Sequence, residues 1–203
     1  MSAVRRREGV NGAGDGLGGH RGIGRSYERN TLEDLNRLAE IARLDREDLF
    51  ARKPRYRALE DGLVCVALCQ GAALHFVDGE NGVKDFDVWA FCAARPDHPA
   101  FPWRRRAARI FGDPRFGLPP DKPGFLDRCV DLLGRSIEVG TEGDPAAILG
   151  RYLLEGGTAS ARALARKAAV LLEPSDLLGT VVWPPGEGGI GGTPSRGCAG
   201  LEP

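Results

Sequence analysis

The stretch from Leu63 to Phe91, LVCVALCQGAALHFVDGENGVKDFDVWAF, constrains the fold of this chain more than any other. It reads as a strand, a tight turn at Gln70-Gly71-Ala72, a short helix, a glycine-bracketed loop from Asp78 to Gly82, and a second strand. The second strand carries Asp85 and Asp87. Side chains alternate faces along a strand, so these carboxylates share a face, about 6.5–7 Å apart. They stand in line with Val83, Trp89 and Phe91, where a core strand would place apolar groups. Carboxylates are rarely buried unless paired or bound to a metal. A divalent cation between them offsets that cost, because Mg²⁺ takes one or two carboxylates together with substrate phosphates.

A further carboxylate lies downstream in Arg128-Cys129-Val130-Asp131-Leu132-Leu133, where apolar neighbours place Asp131 on another strand. Strand, Gly-small turn, helix, Asp-x-Asp strand and a later strand with one Asp together resemble the nucleotidyltransferase superfamily, the polymerase-beta-like fold. The resemblance spans about residues 63–137. It implies a single α/β domain with a short mixed β-sheet flanked by helices. It also implies transfer of a nucleotidyl group from a nucleoside triphosphate to an acceptor, with Mg²⁺ or Mn²⁺ as cofactor. By the same resemblance Asp85, Asp87 and Asp131 are the catalytic, metal-binding residues, and Gly71 with Ala72 approaches the phosphates. Arg128 and Arg135 flank Asp131 and stand as phosphate clamps or, as simply, as ion-pairing residues at the strand ends. The family turn is usually Gly-Ser; here it is Gly71-Ala72, so the hydroxyl that helps hold phosphates is absent. The alternative is a catalytically inactive member that binds a nucleotide or a protein partner.

Composition narrows the partners. Lys plus Arg and Asp plus Glu both number 28, so nothing in the balance demands a nucleic-acid or membrane partner, and neither is expected. An RNA-binding adaptor built on Trp103 and Arg104 to Arg106 is a weaker reading, because residues 31–183 are net negative. The apolar run from Leu63 to Val77 is interrupted and too short to span a bilayer. Arg5-Arg6-Arg7 is followed by glycines and not by an apolar run, so no secretory signal is visible. Five cysteines form no CxxC pair and no zinc-like spacing, which points to a reduced, cytoplasmic protein. No pattern identifies the acceptor, the nucleotide or the oligomeric state.

Residues 1–30 hold eight glycines and six arginines, and residues 184–203 hold seven glycines and four prolines. Both read as disordered tails, because they cannot bury enough surface to offset ordering entropy. Residues 31–183 form the folded body. Thr31 caps a helix whose Leu32, Leu35, Leu38, Ile41 and Leu44 recur at helical spacing, ending near Ala51. Pro102 to Arg109 reads as a short arginine-rich helix. Asp144-Pro145 opens a helix to about Glu155. A second helix is expected over Ala161 to Glu173, with Leu164, Ala168, Leu171 and Leu172 inward, and Val181-Val182-Trp183 is strand-like. His75 reads as a packed helix residue or, less simply, a general base.

Overall fold

In a computed structural model of the chain, residues 24–101, 109–116, 128–138, 140 and 142–184 are described. The expected helix over Pro102 to Arg109 falls almost wholly outside them, as do residues 1–23 and 185–203. The described part is an α/β domain around a six-stranded mixed sheet.

The first helix, α1 (Leu32–Arg52), starts where its capping chemistry dictates. Asp34 N–H donates to Thr31 Oγ1 (3.2 Å), and Thr31 N–H donates back to Asp34 Oδ2 (2.7 Å), closing a reciprocal box. Strand β1 (Leu63–Cys69) runs directly into α2 (Gln70–Asp78), which Gly79 ends in the left-handed conformation at φ 72°. Next come β2 (Phe86–Ala93), the two-residue β3 (Arg109–Ile110) and β4 (Cys129–Ile137). Helix α3 (Pro145–Glu155) has Pro145 in its first turn and Asp144 as cap, accepting from Ala147 N–H (3.0 Å). The chain continues through α4 (Ala159–Leu164), β5 (Ala168–Glu173) and β6 (Val181–Trp183).

The strand order is β3-β4-β2-β1-β5-β6. Only β2 and β4 run parallel; the other neighbouring pairs are antiparallel. Alternation divides the core in two. Val66, Leu68, Val88, Ala90 and Leu132 face one way, with α1 and α2 packed over them. Ala67, Trp89, Phe91, Leu133 and Ile137 face the other way, under α3 and α4.

The expected helix over Ala161 to Glu173 is corrected. Helix α4 stops at Leu164, and Ala168–Glu173 is a strand paired with β1 through Ala67↔Leu171, Leu68↔Val170 and Cys69↔Ala169. Both faces of that strand are covered, so its residues are apolar without alternation. Such a run carries no period that separates strand from helix. An ion pair between Arg46 and Glu173 (2.6 Å) ties α1 to the end of this strand.

The folded body also begins before Thr31. Ser26 and Val83 exchange backbone hydrogen bonds (2.8 and 2.6 Å), and the buried Asn30 donates to Ala72 O (3.0 Å). His75 is 1% exposed. Its Nδ1 accepts from Gly82 N–H (3.1 Å), which leaves Nε2 to donate to Glu28 O (3.0 Å). This histidine is a packed residue joining the N-terminal segment to the loop before β2. Cys65, Cys69 and Cys92 are buried free thiols. Among the described residues no helix is long and apolar enough to cross a membrane.

Candidate functional site

The end of β1 and the starts of β2 and β4 lie side by side, and register decides what meets there. Cys69 of β1 is opposite Asp87 of β2, and Asp87 is in turn opposite Asp131 of β4. In-register residues on neighbouring strands share a face at roughly 4.7–4.9 Å strand spacing, so Asp87 and Asp131 are adjacent carboxylates. Both are partly buried. Burial first, then the Asp87 carboxylate and Cys65, push the buried Cys69 thiol well above its ordinary value. Asp87 therefore places negative charge where β1 gives way to α2.

Asp85 lies one residue before β2 begins at Phe86 and is partly buried. It is not drawn into a close cluster with the other two. Among the described residues no group of three or more His, Cys, Asp or Glu side chains is gathered so as to hold a metal ion. The three-carboxylate set is thus not assembled, whereas the adjacent pair is. Like charges directly opposite each other across strands are destabilising, and a hard divalent cation that takes two carboxylates and completes its shell from phosphates relieves this.

The β1–α2 junction is conformationally unusual. Gln70 has φ 62°, the only non-glycine in the left-handed region among the described residues. Side chains adopt that conformation at a cost, and such outliers cluster at ligand sites. Helix α2 receives no hydrogen bond from a capping side chain, which leaves its first amides to other acceptors. Two cations flank this turn. A Cβ at Gly71 would stand 3.9 Å from Arg25 Nη1 and 3.9 Å from Lys167 Nζ. Arg25 is held by Asn81 O and Gly82 O (both 3.1 Å), while the Lys167 ammonium has no partner among the described residues. Sequence reasoning missed both, because neither is near Gly71 along the chain; Arg25 fell within the expected tail and Lys167 on the expected helix.

Ala72 is 2% exposed and belongs to the core beneath α1. Its methyl packs where a serine hydroxyl would be withdrawn from solvent. The two arginines are not at the carboxylates. Arg128 is 2% exposed, donating from Nε to Phe116 O and from Nη1 to Lys84 O (3.2 Å). Its guanidinium serves buried carbonyls, which gives it a role in holding the fold. Arg135 shares the Asp131 face but lies four residues along β4, about 13 Å away. It lines a cleft at the other end of the strand.

Comparison of the chain with protein-family models, curated proteins and solved structures finds no match in any of the three.

Proposed function

We propose that the chain binds a nucleoside triphosphate and transfers its nucleotidyl group to an acceptor hydroxyl, which bonds to the α-phosphorus as pyrophosphate leaves, with Asp87 and Asp131 as the metal-binding pair. The observation that carries this reading is the Cys69–Asp87–Asp131 register, which sets two carboxylates beside the uncapped start of α2. The α2 amides, Arg25 and Lys167 would receive the phosphates. Lys167 supplies an ammonium close to Gly71 that has no partner among the described residues, and would take over part of what a turn hydroxyl does. Asp85, one residue before β2, would accept a proton or hydrogen bond from the incoming acceptor hydroxyl. Mg²⁺ or Mn²⁺ bound by the pair would neutralise phosphate charge and polarise the attacked phosphorus. The helix–strand–helix–strand order and the parallel β2–β4 pair suit the nucleotidyltransferase-like arrangement.

Two observations favour a second reading. Ala72 is packed in the core and Asp85 is not gathered with the pair, as fits a module that binds a triphosphate without turning it over. Incubation with α-phosphate-labelled nucleoside triphosphates, Mn²⁺ or Mg²⁺ and a desalted extract as acceptor source separates the two. Transfer predicts label on an acceptor, reduced about 10²-fold or more by Asp87→Asn. Triphosphate binding with no transfer selects the inactive module, and absence of both sinks the proposal.

A further inference from the structure

Among the described residues, a large cleft lies away from the aspartates, at the carboxyl ends of the parallel strands β2 and β4. It has a volume of about 710 Å³. Pockets for small molecules commonly occupy roughly 300–1,000 Å³, and carboxyl ends of parallel strands are a frequent place for them. One wall is the segment after β2, which is fixed to β4 at both ends. Ala94 N–H donates to Ile137 O (2.9 Å), and Phe101 N–H donates to Ser136 Oγ (2.8 Å). The Phe101 ring lies directly over Gly134, where a Cβ would come within 1.8 Å of it. Only glycine admits the ring there, so the wall is built into the strand sequence. Tyr152 and Thr158, whose hydroxyls meet at 3.2 Å, stand on the opposite side.

Two of the cleft's cations have no partner among the described residues. Arg95 and Arg135 both line it, and neither guanidinium has a hydrogen-bond or ion-pair partner among the described residues. His98 also lines it; its buried Nδ1 has no hydrogen-bond partner among the described residues, while its Nε2 lies 3.7 Å from Asp97 Oδ2. Glu138 and Glu155 are on the same walls, yet no ion pair within 4 Å joins them to the arginines.

We propose that this cleft is a second ligand site, for a small molecule with a carboxylate or phosphate at one end and hydrogen-bond donors at the other. Arg135 and Arg95 take the oxyanion through charge-assisted bonds. Phe101, Pro99 and Ile137 cover an apolar or aromatic body. Glu138 and Glu155 accept from the donor end. The site stands independently of the aspartate reading.

Saturation-transfer NMR on the full chain tests it, with 4-hydroxyphenylacetate (carboxylate), phenyl phosphate (phosphate) and tyramine (ammonium) as probes. At least one anion is expected to bind with Kd on the order of 1 mM or tighter, and which one does identifies the oxyanion. Arg135→Gln and, separately, the exposed Arg95→Gln are each expected to weaken it about tenfold with the thermal midpoint unchanged. Asp87→Asn is expected to leave it unaltered. Binding of neither anion, tyramine binding as well as the anions, or equal binding by both arginine variants would overturn the site. Loss on Asp87→Asn would also overturn it, by moving the anion to the start of α2.

Discussion

Truncation of Phe86 to alanine is expected to cost about 3–5 kcal/mol of folding stability, the range for a buried aromatic removed without collapse of its surroundings. Phe86 is fully buried. Its ring lies 4.8 Å from that of Phe111 and 5.4 Å from that of Phe116, and those two are 5.4 Å apart, a mutual triad. None can move to fill the space without giving up the third. The position matters because Phe86 sits between Asp85 and Asp87, on the opposite face of β2. Its burial holds the strand in the register that turns Asp87 toward Asp131. Urea unfolding measures the loss. Val181→Ala, at a residue 41% exposed, serves as the control and should change stability by no more than about 0.5 kcal/mol. A Phe86→Ala loss below about 1 kcal/mol would mean that the triad does not anchor the start of β2.

Arg128→Met is expected to destabilise the unliganded protein by about 3 kcal/mol or more. Each hydrogen bond from a charged donor contributes roughly 1.5–3 kcal/mol, and this guanidinium makes one to Phe116 O and one to Lys84 O. Methionine keeps the apolar stem and removes the donors, so the loss reports the polar contacts. Lys84 immediately precedes Asp85, and Arg128 lies one residue before β4, three residues before Asp131. The same side chain thus fastens together the two strand starts that carry the carboxylates. A phosphate-clamp role makes the opposite forecast: an unchanged midpoint without ligand, and weaker triphosphate binding. Thermal denaturation of the variant without ligand distinguishes them.

Much of this architecture was legible because local chemistry and tertiary structure agree. Thr31 with Asp34, and Asp144 with Pro145, mark helix starts that the fold uses. The β1–α2–β2 succession follows the apolar runs and the Gly79 stop. The residues 168–173 were not legible, since alanine and leucine satisfy helical propensity while pairing with β1 decides for strand. The carboxylate pair was readable as residues but not as a pair. Alternation groups Asp85 with Asp87, whereas the parallel register sets Asp87 against Asp131. Arg25 and Lys167 were hidden because only folding brings them to Gly71. Arg128 was misleading for the same reason: sequence adjacency to Asp131 says nothing of face, and Arg128 turns to the other side of the sheet.

The central claim is that Asp87, Asp131 and the start of α2 form one triphosphate–metal site. Its most direct test is the thermal midpoint of the wild type, Asp87→Asn/Asp131→Asn and Lys167→Ala with ATP or GTP, each with and without Mg²⁺ or Mn²⁺. A ligand that binds only the folded state stabilises it by mass action, about 2.7 kcal/mol at one hundred times Kd. The account predicts a metal-dependent rise in the wild type, a smaller rise in Lys167→Ala, and none in the double aspartate variant. No rise in the wild type with either triphosphate, or an equal rise in the double variant, would contradict it.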